Sequence, residues 1–386
     1  MLRIAALFPR FCRPAAVSYT CLSLCKAMAN AGSVVAMHVP VSDRAVTDPF
    51  VRKTVPFWLR QLYGWRCFRP LTMCAFERRF LHSLRHGDIA YLWPGTRRSL
   101  ARRIRKRDGV RIVIENINCH QGTAKRILDD AYARAGWPAA HGITEVRISH
   151  EREMLGYADA VFAANPSSAA SLAENGVPKQ NILLASYGWE PDRFRGKTVA
   201  LPHLKRPVFL SVGFVCLRKG APLAMEAWQR AGIDGTLLFV GRMFEDVREH
   251  CADSLDLNSI MHLEYQEDIG AIYRSAHVFF FLTLEEGGPM VTFEAMGCGL
   301  PILTTPMGAG EVCRDGIEGF VVDPYDEDMI VDRLRQLASD TDLRHSMGEA
   351  ARVRAMEYTW DKVGARRLRL LQERFGVESC VEPYDV

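Results

Sequence analysis

The chain has 386 residues, 48% hydrophobic and 24% charged, with a net charge of +4 that by itself implies no partner. That length exceeds a single hydrophobic core and predicts two or three domains, and the composition excludes a disordered tract, a collagen-like fibre and a coiled coil. No apolar run reaches the roughly 18–20 residues that span a bilayer.

The first ten residues, MLRIAALFPR, read as a buried strand. The apolar stretch is too short for a secretory signal and stops at Pro9 and Arg10, so a cytoplasmic protein is expected. Further apolar runs follow Arg3–Phe8 at Ser33–Val39, Ile89–Trp93, Arg111–Ile117, Ala160–Ala164 and Ile182–Ser186. Residues Arg195–Pro207, RGKTVALPHLKRP, break the pattern with two prolines and several charges and read as a linker. Beyond it come strands at Val208–Val212, Thr236–Val240, Ile260–Tyr265, Val278–Leu282, Pro301–Thr305 and Phe320–Val322. Helical spacing separates them at Ala221–Gly232, Phe244–Ala252, Asp268–Ser275 and Met290–Gly297, and returns at Asp326–Leu337. This alternation predicts an α/β protein with two Rossmann-like, doubly wound domains, residues 1–200 and 201–358, facing a central cleft. Thr359–Phe375 carries Leu368, Leu370 and Leu371 on or near one face and predicts an amphipathic helix within a last segment, 359–386.

Charge is concentrated. From Arg52 to Arg107 there are 15 Lys/Arg against 2 Asp/Glu, while the other 330 residues carry 34 positive and 43 negative charges. Nine aromatics share the stretch, among them Phe57, Trp58, Tyr63, Trp65, Phe68 and Trp93. Cations interleaved with rings suit an anionic membrane surface, each Lys or Arg near it contributing about 1 kcal/mol. A solvated helix surface whose rings face the core accounts for the same composition; nucleic acid is not the partner expected. The eleven cysteines show neither a CxxC pair nor zinc-ligand spacing. They read as small hydrophobes of a reducing compartment, with no metal site expected.

The densest chemistry lies at Glu285-Glu286-Gly287-Gly288-Pro289-Met290-Val291-Thr292-Phe293-Glu294. A glycine loop there enters a helix opened by proline, where the missing N–H costs nothing. The free N–H groups and dipole of a helix start favour a phosphate or diphosphate, and glycines let backbone approach a ligand closely. Glu294, one turn in, suits a pair of ribose hydroxyls, and Glu286 on the loop suits sugar hydroxyls. Either acid alone is as readable as a surface group beside a turn. Upstream, Arg218-Lys219-Gly220 falls between a strand and a helix, two cations suited to neutralising a leaving diphosphate. Alone, that triplet reads as a solvated loop. Asp326-Glu327-Asp328 mimics a metal-binding DxD but begins a helix, and is discarded.

The segment EGGPMVTFEAMGCGLPIL, with seven residues between Glu286 and Glu294, resembles the E-x7-E signature of family 4 retaining glycosyltransferases of GT-B fold. The resemblance covers about residues 111–360 and is densest beyond 207. It implies that a sugar moves from a nucleotide diphosphate sugar to an acceptor hydroxyl, without a metal or resident cofactor. By the same resemblance Glu286, Arg218, Lys219 and His120 are the catalytic candidates. Gly213, Arg218, Lys219, Gly287, Gly288, Met290, Val291 and Glu294 are those for donor binding. The implied acceptor is a saccharide or lipid-linked group in polysaccharide or glycolipid assembly, with the basic stretch on the inner face of the membrane. The last helix is expected to cross back to the first domain. Lys125 and Arg126, after His120, are in reach of an acceptor phosphate, but are expected to be solvated instead. The chain departs from the family pattern at Phe214, where many members have Arg, and at Gly188-Trp189-Glu190, where members often read G-V-D. It departs again at Pro9-Arg10-Phe11-Cys12-Arg13-Pro14, which stands where a glycine pair is usual. A sugar-nucleotide epimerase of the same fold and an inactive scaffold subunit are the alternatives.

Overall fold

Two parallel sheets organise the chain in the computed structural model, which describes residues 1–376 apart from 57, 59, 60, 62, 64–67 and 197–203. Phe57 and Trp65, most of the expected linker and the last ten residues therefore lie outside the described residues. The first sheet comprises β1 (Arg3–Leu7), β2 (Val34–Val39), β3 (Val51–Lys53), β4 (Ile89–Leu92), β5 (Arg111–Asn116), β6 (Ala160–Ala163) and β7 (Ile182–Leu184). Its spatial order is β3-β2-β1-β4-β5-β6-β7. The second comprises β8 (Val208–Val212), β9 (Thr236–Val240), β10 (Ile260–Leu263), β11 (Val278–Phe281), β12 (Ile302–Thr304) and β13 (Gly319–Val321), in the order β10-β9-β8-β11-β12-β13.

Alternate residues of each strand bury into opposite faces, which requires helices on both sides. In the second sheet Phe209, Leu237, Phe239 and Phe280 pack with Trp228 and Leu334 on one face. Leu210, Leu238, Phe279 and Phe281 pack with Phe293 and Met296 on the other. The winding direction reverses between β8 and β11, and in the first sheet between β1 and β4. Crevices for ligands open at such reversals, outside the strand C-termini.

The expected strands lie where the apolar runs put them, most trimmed by a residue or two at their ends, and the last shifted one residue earlier to Gly319–Val321. β3 was missed because three residues inside the basic stretch give no apolar signal; its place comes from pairing with β2. The helix expected over Phe244–Ala252 is interrupted at Cys251, giving Glu245–His250 and Ala252–Leu255.

The basic stretch divides. Phe76, Phe80, Tyr91 and Trp93 are core residues, and Arg97, Arg98 and Arg105 pair with Glu77, Glu153 and Asp159. Those residues are structural, as the plain-surface reading allows. Trp58, at 76% exposure, and Leu71, at 68%, instead stand out in solvent, as does Phe68 at 40%.

The last helix, Trp360–Phe375, lies against the first-domain helix Ala16–Asn30, and Gly364 leaves it room against Ala27. Its Arg367 is fully buried. The guanidinium reaches Glu115 at 2.7 and 3.2 Å and the carbonyls of Ala185 and Ser186 at 2.7 and 3.2 Å. Tyr91 donates its hydroxyl to the same carboxylate. Breaking one partner of so buried a pair typically costs about 3–5 kcal/mol, because the other charge is left without compensation.

Candidate functional site

Two loops meet at the reversal between β8 and β11. The first runs from Gly213 to Gly220, turning through a short 3-10 segment, Leu217–Lys219, before helix Ala221–Ala231. Gly220 has φ +71°, and a Cβ there would overlap the Leu282 carbonyl of the second loop. Glycine is therefore dictated at that crossing. The loops are joined by Leu284 N–H donating to Arg218 O at 2.9 Å. Arg218 reaches Glu285 O at 3.0 Å and its Oε2 at 3.3 Å. Lys219 forms an ion pair with Glu286, and its ammonium lies 5.3 Å above the Phe281 ring. The expected cations and the first expected glutamate are thus in one place. Burial and the neighbouring Arg218 push the Lys219 ammonium down to about 7, against the pull of Cys216 and Glu285.

Glu294 projects from helix Met290–Gly297 on the opposite face of this sheet from helix Ala221–Ala231. Tyr273 donates to its Oε2 at 3.2 Å. Arg193, whose guanidinium sits 4.5 Å over the Tyr19 ring, acts on it electrostatically from across the cleft. Burial raises the carboxyl to about 7, with Arg193 and Tyr273 opposing. Met290, at the helix start, accepts a 3.3 Å contact from Thr20 of the first domain at its sulfur. Its N–H is taken by Gly288 O at 2.9 Å, so the donor expected there is already engaged.

The glycines act differently from expectation. A Cβ at Gly287 would overlap the Ile117 carbonyl, and one at Gly288 the Tyr187 ring, both in the first domain. Asn165 donates to Gly287 O at 2.5 Å. Gly287 lets backbone touch backbone across the cleft, and Gly288 leaves room for the Tyr187 ring.

His120 is also placed differently. It is fully buried and caps helix Gln121–Ala135, its Nδ1 accepting from Gly122 N–H at 3.0 Å. Its Nε2 faces Glu151 at 3.5 Å and its N–H donates to Ser171. Burial lowers it to about 4, so the ring is neutral at physiological pH. These contacts are all with first-domain residues. Lys125 and Arg126 are engaged by Asp129 and Glu174 on the surface, and Asp326 caps its helix while Glu327 and Asp328 hold Arg230. Among the described residues no group of three or more His, Cys, Asp or Glu is placed to hold a metal ion.

Sequence reasoning passed over Glu285. Its side chain is buried, accepting from Cys119 N–H at 3.1 Å and Asn118 Nδ2 at 3.3 Å as well as from Arg218. Nothing local marks this acid apart from Glu286, since its partners lie 166 and 167 residues away. Phe214, the departure already noted, is 50% exposed and packs its ring 5.4 Å from Phe244 on the neighbouring loop.

The raised Glu294 carboxyl has a sign. A group whose folded value exceeds its ordinary 4.5 adds stability that is complete below that pH and is lost as pH rises through about 7. Glu294→Gln removes this dependence. Between pH 4.5 and 8 the variant should gain on wild type by about 1–3 kcal/mol in urea unfolding; a difference that stays constant with pH contradicts the assignment.

Residues 196–354 match the family model of glycosyl transferases group 1. A D-inositol 3-phosphate glycosyltransferase of Corynebacterium jeikeium is 33% identical over 108 residues, 28% of this chain and 26% of the relative. The chain spans less than half the length of the curated relatives it first matches. Among solved structures, sucrose-phosphate synthase of Thermosynechococcus elongatus superposes with TM-score 0.70 at 20% identity, over 98% of this chain and all of that one. Anabaena HepE in complex with UDP-glucose superposes with TM-score 0.67 at 13% identity, over 97% and 100%. The chain therefore has the GT-B fold over nearly its full length, and its residues 196–354 are similar to the glycosyl transferases group 1 family.

Proposed function

We propose that the chain is a retaining glycosyltransferase that moves a sugar from a nucleotide diphosphate sugar to an acceptor hydroxyl. The observation that carries this reading is the meeting of Arg218 with Glu285 and of Lys219 with Glu286, at the start of the Glu285–Glu294 segment and at the reversal of the second sheet. Ligands of doubly wound sheets sit at such points, and the UDP-glucose bound by HepE supports a nucleotide-sugar donor.

In the proposed site Glu294 accepts from the ribose hydroxyls. The diphosphate takes Lys219 and the N–H of Val291, with Arg218 adding charge from its place on Glu285. Phosphate then replaces Glu286 on Lys219, which frees that carboxylate for the sugar hydroxyls. Two cations aimed at the leaving diphosphate stabilise charge where it develops, without a metal. Phe214 supplies no third cation, and its exposed ring favours the second reading, a scaffold subunit that binds no donor.

The readings separate in a thermal-shift panel of UDP, GDP, ADP, dTDP and CMP without added metal. A diphosphate at 100 times its Kd adds about 2.7 kcal/mol, a shift of several degrees. One nucleoside diphosphate should stabilise wild type and fail to stabilise Lys219→Ala; no shift with any of the five in wild type rejects a donor site.

We further propose that the exposed part of the basic stretch rests on an anionic membrane, presenting a lipid-linked acceptor for polysaccharide or glycolipid assembly. Trp58, Phe68 and Leu71 stand in solvent, Phe68 and Leu71 flank Arg69 in the sequence, and Cys74, Ala75 and Arg78 continue the Leu71 face of helix Arg69–Ser83. Among the described residues no helix is long and apolar enough to cross a membrane. Co-sedimentation with phosphatidylglycerol vesicles at low salt should be strong for wild type and weakened about tenfold in Leu71→Glu/Arg78→Glu. Equal sedimentation of the two proteins, or none of wild type, removes the membrane role.

A further inference from the structure

Strands β8 and β9 do not part where their regular ladder ends. Val212 stands opposite Val240 in the ladder, and Val215 opposite Met243 in a parallel bridge beyond it. The register is unbroken between these points, so Phe214 stands opposite Arg242. Three bonds of 2.9 Å continue the pairing: Gly213 N–H to Val240 O, Val215 N–H to Arg242 O and Phe244 N–H to Val215 O. The approach needs glycine, since a Cβ at Gly241 would overlap the Gly213 carbonyl. Val215 and Met243 bury on the sheet face that holds Phe209 and Phe239. Alternation therefore sends Phe214 and Arg242 to the other face, where Leu210, Leu238 and Val240 pack with Phe293 of the helix that carries Glu294.

Charge makes that position matter. Arg218 and Lys219 reach Glu285 and Glu286, so the two loops at the reversal carry as many acids as cations. A diphosphate that displaces Glu286 from Lys219 meets no surplus of positive charge there. Arg242, exposed at the end of β9, supplies one. It pairs with no carboxylate among the described residues, and its guanidinium lies 5.7 Å from the centre of the Phe244 ring. The Phe214 ring is 5.4 Å from the same ring, which makes Phe214 and Phe244 one part-exposed aromatic pair beside the arginine. Asp246, on the helix that follows, is engaged by the Tyr132 hydroxyl at 3.1 Å and by Val247 N–H at 2.9 Å.

We propose that Arg242 is a donor-binding residue: its guanidinium meets the diphosphate and supplies from β9 the charge that Phe214 does not supply from β8. The inference rests on the transferase reading of the site. A guanidinium not already held by an acid can give two parallel hydrogen bonds to a phosphate without first losing a partner. Placed beside the reversal, it stabilises the charge that grows on a departing diphosphate.

The test titrates the full chain calorimetrically, without added metal, with UDP, GDP, ADP and dTDP, and then with the nucleoside of whichever binds. Arg242→Gln should weaken diphosphate binding about tenfold or more, the value of a charge-assisted bond, and leave nucleoside binding unchanged. Phe214→Arg/Arg242→Gln, which returns a cation to the register partner, should regain most of the lost affinity. Arg248→Gln, which removes from helix Glu245–His250 a charge paired with Glu264, should bind the diphosphate as wild type does. Equal diphosphate binding by Arg242→Gln and wild type overturns the proposal and leaves the transferase reading standing. So does a loss shared equally by nucleoside and diphosphate, one that Arg248→Gln reproduces, or one that Phe214→Arg leaves unrepaired. No binding of any of the four diphosphates by wild type overturns both.

Discussion

The arrangement depends on one buried carboxylate. Glu285 stands at the junction of the two domains and is satisfied from both, by Arg218 on its own side and by Asn118 and the Cys119 N–H on the other. Buried without those donors, the acid would cost several kcal/mol. Its satisfaction requires the domains to close, and Gly287 permits its backbone to meet the Ile117 carbonyl while Gly288 leaves space for the Tyr187 ring. Arg367 does the same work at the rear, tying the last helix to Glu115 and the Ala185 and Ser186 carbonyls. The cleft is thereby clamped at its mouth and fixed behind.

This closure has a consequence for the proposed chemistry. The cations offered to a diphosphate are neutralised by neighbouring acids, Lys219 by Glu286 and Arg218 by Glu285. A ligand that takes Lys219 must displace Glu286, and the freed carboxylate is then next to the ligand. Opening the cleft meanwhile trades the cross-domain contacts of Glu285 for water. Proposed donor binding and domain separation are therefore coupled through adjacent residues of a single loop, without any longer path between them.

Most of the architecture was legible in the sequence because it follows from local pattern. Apolar runs such as Val208–Val212 and Thr236–Val240 are buried strands with the bounds their composition predicts, and Pro289 and Gly220 punctuate as their backbone chemistry demands. Lys219 and Glu286 were each expected at the donor site by resemblance, one for the diphosphate and one for the sugar, and their ion pair was not expected. What escaped was long-range. Glu285 looks identical to Glu286 until its partners across the cleft are known, and the glycine pair suits a ligand as well as it suits Ile117 and Tyr187. His120 carried a resemblance, yet its local surroundings make it a helix cap. Phe76, Phe80, Tyr91 and Trp93 read as part of an aromatic surface, and only the fold separates these core rings from the exposed Trp58 and Leu71.

The central claim is that the loops after β8 and β11 form one diphosphate-binding unit. Hydrogen–deuterium exchange with and without the stabilising nucleoside diphosphate tests it most directly, since amides ordered by a ligand open less often. The account predicts added protection in segments 213–220 and 285–294, with the first-domain segment 117–120 following as the cleft tightens. Protection confined to the first domain, or none at 285–294 at saturating nucleotide, would contradict it.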